Sequence, residues 1–139
     1  HSPMIQRFNF RYISDDSMRY LAFVTYFYYN LIYMNAVLEE TRLVIDKIVE
    51  KYNPEKVILF GSVARGDYQR SSDIDLLIIK KSIKKRPFRV KEIFEVLRGM
   101  QRDYPLDAIV YTPEEIKKRS SMGDYFIECV LKEGKVMYG

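Results

Sequence analysis

The chain has 139 residues, enough for one domain with a single core and too few for two ordinary ones. One histidine, His1, and one cysteine, Cys129, remove Ser-His-Asp and Cys-His nucleophiles, histidine- or cysteine-rich zinc sites and disulfides, so any chemistry rests on carboxylates, hydroxyls, cations and backbone. A net charge of +4 describes a mildly basic surface, and a lone cysteine fits a reducing, cytoplasmic setting.

The first 33 residues hold ten of the twenty aromatic side chains, among them Phe8, Phe10 and Tyr33, and no lysine, glutamate or glycine. The most apolar run, Leu21 to Met34, is fourteen residues long and interrupted by Thr25 and Asn30. It falls short of the roughly 20 residues of a spanning helix and lacks a small-residue cleavage site, so neither a membrane span nor a signal peptide is expected. Three readings of this segment stand side by side: a helix for homo-oligomerisation, a helix lying on a membrane surface or a partner, and an extension outside the folded unit. From Glu39 onward the composition is that of a soluble enzyme. The expected division is an extension over 1–33 and a domain over 34–139, with Met34 a candidate native start and His1 to Pro3 a candidate remnant ahead of Met4.

The apolar spacing Leu38, Ile45, Val49, Tyr52, widened by Val37, Val44 and Ile48, predicts an amphipathic helix over 37–52, ended by Asn53-Pro54. Val57 to Phe60, Leu76 to Ile79 and Leu106 to Tyr111 are short apolar runs that read as buried strands. Pro87 opens a helix that aligns Val90, Ile93, Phe94, Leu97 and Met100. Thr112-Pro113-Glu114-Glu115 is a capping box that starts another. A last helix, about 125–133, should stop at Gly134, followed by an edge strand over 135–138. This alternation gives an α/β (α+β) fold with a small mixed sheet flanked by helices.

The informative segment is FGSVARGDYQRSSDIDLLII, residues 60–79. A buried strand delivers Gly61-Ser62 to a turn in which glycine permits close approach of a ligand, and the hydroxyl and neighbouring N–H groups can hold phosphate oxygens. After ten intervening residues Asp73-Ile74-Asp75 enters the next strand, where alternation puts both aspartates on one face and Ile74 and Leu76 in the core. Two carboxylates so spaced can share divalent cations for in-line phosphoryl displacement. Asp107, in an otherwise apolar strand, is the candidate third ligand; buried there it would be costly unless it met a cation or lay at an open edge. Arg65 is a candidate phosphate contact.

The pattern G-S, ten residues, D-x-D resembles the nucleotidyltransferase superfamily of DNA polymerase β, and within it the minimal nucleotidyltransferase (MNT) branch, over about 37–138. The resemblance implies that Gly61 and Ser62 bind the triphosphate of ATP, that Asp73 and Asp75 ligate two Mg²⁺ ions, and that Asp107 completes one metal site and helps activate the attacking hydroxyl. Stand-alone MNT proteins are similar to antitoxins that pair with HEPN-type toxins, which implies transfer of AMP to a tyrosine of the toxin. Two other readings stay open: an antitoxin that acts by binding alone, and transfer to a small molecule. The cluster Lys80, Lys81, Lys84, Lys85, Arg86, Arg89 and Lys91 reads as a solvated face or as an attractor of an anionic partner; nucleic acid is not the expected partner.

Overall fold

The structure is a computed structural model that describes residues 12–67 and 72–139. Phe8, Phe10 and four residues of the expected ten-residue spacer, 68–71, lie outside the described residues, as do His1 to Met4.

Helix α1 (Asp16–Tyr52) opens on Asp15, whose carboxylate accepts from the N–H groups of Ser17 and Met18 at 2.8 and 3.3 Å. No glycine or proline interrupts its 37 residues, so nothing in the backbone separates the aromatic segment from the amphipathic helix expected over 37–52. The expected division between residues 33 and 34 falls inside this one helix. Asn53 ends α1 in the left-handed conformation, and Pro54 follows. The expectation drawn from the short apolar run also changes. By length and composition α1 is able to cross a membrane, and 6% of its most apolar 18-residue stretch is buried, so length alone does not argue against a span.

The remaining elements are β1 (Lys56–Phe60), α2 (Gly61–Arg65), β2 (Ile74–Ile79), α3 (Arg86–Val96), β3 (Leu106–Tyr111), α4 (Pro113–Ser121), α5 (Tyr125–Glu133) and β4 (Lys135–Tyr138). The sheet order is β3-β2-β1-β4; β1 runs antiparallel to β2 and β4, while β2 and β3 are parallel. The mixed sheet and the edge position of β4 are as expected. Alternation along the strands divides the core in two. Val57, Leu59, Leu76, Ile78, Ala108 and Val110 pack with Val44 and Ile48 of α1 and Ile93 of α3, whereas Ile58, Leu77, Ile79 and Tyr111 pack with Ile127 and Val130 of α5.

Two helix ends differ in kind. Thr112 Oγ1 accepts from the Glu115 N–H at 3.1 Å, with Pro113 in the first turn of α4, as the capping box predicts. Gly134 follows α5 with an ordinary φ of −68. Glycine is needed there for space: a Cβ would lie 2.5 Å from the Val130 carbonyl oxygen and 2.6 Å from Ile58 Cγ2.

Candidate active site

Strand β1 ends where β2 and β3 begin, so one end of the sheet gathers every residue of the expected site. Phe60 is paired with Asp75, and Asp75 with Asp107 on the neighbouring parallel strand, a spacing of about 4.8 Å between strand axes. Asp75 and Asp107 share the parity of Leu77, Ile79 and Tyr111, and so project from the sheet face covered by α5. Asp107 is exposed on an edge strand, the open-edge alternative allowed for an acid in an apolar strand. Asp73 departs from expectation: β2 starts at Ile74, so Asp73 is a residue just ahead of the strand. Strand alternation therefore orients Asp75 but does not reach Asp73.

Gly61 begins α2 with φ +73, and a Cβ there would lie 2.1 Å from Asp75 Oδ2 and 3.0 Å from its Cγ. The Asp75 carboxylate occupies the space that any larger residue at 61 would fill. The N-cap, Phe60, supplies no side-chain hydrogen bond to the first turn of α2, leaving Ser62 and the turn amides without that internal cap.

Asp75 is half-buried, and its pKa is pushed up to about 6, first by burial, then by the charge of Asp107, then by that of Asp73; Arg65 opposes the rise. Three carboxylates whose fields meet on one half-buried oxygen pair form a donor set suited to a hard divalent cation. Among the described residues no three acidic, histidine or cysteine side chains already stand in a closed metal-binding cluster. The fit to a cation thus rests on the chemistry of the donors and on the Gly61 cradle.

Arg65 stands at the C-terminal end of α2, close enough for its charge to act on Asp75, and its Nε lies 3.4 Å from Asp67 Oδ2. A cleft of about 190 Å³ borders Gly61 and is lined by Phe60, Arg65, Phe126, Cys129 and Val130, with Phe60 and Phe126 packed edge to face at 5.6 Å. The cleft is smaller than the roughly 300–1,000 Å³ of a site that holds a whole small ligand.

The basic cluster is not at this site. Lys80 follows the far end of β2, and its cations are largely committed within the fold. Arg89, 5% exposed, donates to Glu115 at 2.6 and 3.0 Å and to the carbonyls of Lys84 and Val110. The Lys80 ammonium donates to the Tyr52 carbonyl and lies 3.9 Å above the Tyr52 ring. Lys84 pairs with Glu92, Lys81 with Glu55, and Arg86 donates to the Tyr111 hydroxyl. Arg89 in particular is a structural residue.

The sequence reading missed Glu40. This buried carboxylate on α1 accepts from the N–H groups of Asp103 and, at 2.9 Å, Tyr104, fixing the approach to β3 and hence to Asp107. An acid beside the core positions Val37 and Thr41 on a helix was the available signal.

A mixed sheet that converges a Gly-Ser turn and three aspartates at one end has the architecture of a polymerase β-like nucleotidyl-transfer enzyme. Residues 41–136 match the family described as Nucleotidyltransferase domain, and the chain belongs to that family. It is 35% identical over 86 residues to a Methanocaldococcus jannaschii protein named "Putative protein adenylyltransferase MJ0604", covering 60% of this chain and 78% of that one. A second protein of the same organism, "Putative protein adenylyltransferase MJ0141", is 59% identical over 29 residues, 21% of this chain and 29% of its own length. The crystal structure described as a putative nucleotidyltransferase from Sulfolobus solfataricus superposes with a TM-score of 0.51 at 28% identity, covering 74% of this chain and 80% of that one. The protein is a nucleotidyltransferase.

Proposed function

We propose that the protein transfers AMP from ATP to the tyrosine hydroxyl of a HEPN-type toxin, silencing it as a cytoplasmic antitoxin. The observation that carries the reading is the Asp75–Asp107 register beside Gly61, which brings two carboxylates to the Gly-Ser turn. The names of the two archaeal relatives support a protein as acceptor, and the MNT-like motif supports a toxin partner. Asp73, Asp75 and Asp107 are the residues that would hold two Mg²⁺ ions, which when bound neutralise triphosphate charge and acidify the acceptor hydroxyl. Ser62 and the turn amides donate to phosphate oxygens, and Arg65 adds a cation beside them. An Asp107 carboxylate oxygen accepts the proton of the attacking hydroxyl. The acceptor oxygen bonds to the α-phosphorus as the bond from that phosphorus to the bridging oxygen breaks, releasing pyrophosphate.

The test is incubation with α-labelled ATP, Mg²⁺ and the protein encoded by the neighbouring gene. Label on a toxin tyrosine, lost with Asp73→Asn, is the expected result. Silencing that persists without label overturns transfer in favour of binding alone, and label found only on a small molecule overturns the protein acceptor.

A further inference from the structure

Tyr111 closes the end of β3 remote from Asp107. It projects from the same sheet face, about 13 Å further along the strand. Two guanidinium groups gather around its buried ring: Arg86, 5.1 Å from the ring centroid, donates from Nη1 to the Tyr111 hydroxyl at 2.8 Å, and Arg119 lies at 4.8 Å. With Lys118 and Met122 they wall a cavity of about 540 Å³ between the start of α3, the body of α4 and the cap of α5. That volume lies within the roughly 300–1,000 Å³ of a site for a whole small ligand.

The charge of this cavity is unbalanced. Its two carboxylates are already engaged: Glu115 by the buried Arg89 at 2.6 and 3.0 Å, and Asp124 by Arg119 at 3.0 Å and by the N–H of Ile127. Arg86 acts on Glu115 at longer range, and neither Arg86 nor Lys118 forms an ion pair among the described residues. We infer that the cavity is a binding site for a small phosphomonoester, a nucleoside monophosphate in size. A phosphomonoester carries about −1.5 to −2 charges near neutrality, which matches the two cations in excess. Guanidinium forks bond phosphate oxygens in pairs. Arg86 is held in place by Tyr111 and Arg119 by Asp124, so binding costs them little rotamer freedom. Met122, 74% exposed at the rim, offers a polarizable apolar contact to the base. A long polyanion is the poorer occupant. Beside the cavity Lys80, Lys81 and Lys84 already hold the Tyr52 carbonyl, Glu55 and Glu92, so the free cations do not continue toward β2 as a track. Helix α5 separates this site from the catalytic end: Asp124 caps it at the cavity, while Cys129, Val130 and Glu133 line the cleft beside Gly61.

Calorimetric titration of the full chain with AMP, in EDTA so that no divalent cation assists binding at the carboxylates, tests this without reference to catalysis. The expected result is one AMP bound per chain and no binding of adenosine. Lys118→Gln should weaken AMP binding on the order of tenfold or more, the cost of one charge-assisted contact, with the melting temperature retained because this exposed side chain forms no ion pair. Asp75→Asn should leave the AMP affinity unchanged. A chain that binds no AMP overturns the inference, as does adenosine that binds as tightly as AMP. AMP binding that survives Lys118→Gln, or that changes with Asp75→Asn, overturns it in favour of the catalytic end. Oligouridylate that binds through Lys118 and is not displaced by AMP overturns it in favour of a nucleic-acid surface.

Discussion

Asp75 pays for its position in the folded state through its own ionisation. Its pKa lies at about 6 in the fold against an ordinary 3.8, so the folded protein binds more protons than the unfolded chain between those values. Stability from this group is fully present below pH 3.8 and is lost as pH rises to about 6. Asp75→Asn should therefore melt higher than the parent at neutral pH, with the gap closing toward pH 3.8; melting curves across this range decide it, and a gap independent of pH would refute the electrostatic cause. The same substitution should lower nucleotidyl transfer by on the order of 10²–10³, the usual cost of removing one group that stabilises transition-state charge. Gly61→Ala acts on the same carboxylate from the other side. The left-handed φ of +73 alone costs a non-glycine residue about 1–2 kcal/mol, and the new methyl displaces Asp75 Oδ2. Activity measured beside melting temperature should show a loss of transfer larger than that loss of stability explains.

Among the elements, the latch between α3 and α4 encloses its charge most completely. The Arg89 guanidinium is almost fully buried, and its hydrogen bonds hold the Glu115 carboxyl below the usual glutamate range. The stabilisation is present above the ordinary Glu pKa of 4.5 and is lost as pH falls below it. Glu115→Ala strands the guanidinium and should cost about 3 kcal/mol in denaturant melts at neutral pH, with a smaller difference in acid. This latch also explains what the sequence did and did not reveal. The three main strands were legible because each is a short apolar run, and the Gly61, Ser62, Asp75 and Asp107 positions followed because strand ends dictate where they meet. Arg89 read as part of a basic surface because its partner lies on another helix 26 residues away, beyond any local pattern. Asp73 was taken to continue the strand alternation, which cannot tell where pairing begins; β2 starts one residue later. The change of composition near residue 34 suggested a boundary, yet helix formation responds to glycine, proline and caps, and α1 has neither glycine nor proline there.

For the molecule as a whole, a chain begun at Met34 keeps every strand, the Glu40 contact and all six site residues. It should fold and retain nucleotidyl transfer, which labelled nucleotide measures; removal of the Tyr33–Tyr104 contact should cost about 0.5–1.5 kcal/mol. The clamping of α1 has a hydrodynamic consequence. The helix is fixed past its middle by Glu40 and at its end by Tyr52 beneath Lys80, so it has no swivel. Its projecting part, from Asp16 to Ile32, is about 25 Å long, against a radius of gyration of about 13 Å for a body of 100 residues. Rotation in water is consequently anisotropic, faster about the helix axis than end over end. Amide bonds in α1 lie along that axis and sense only the slow rotation, whereas amides inclined to it sense both. Nitrogen-15 relaxation rates along the backbone thereby become a compass, reporting the angle each element makes with the long helix.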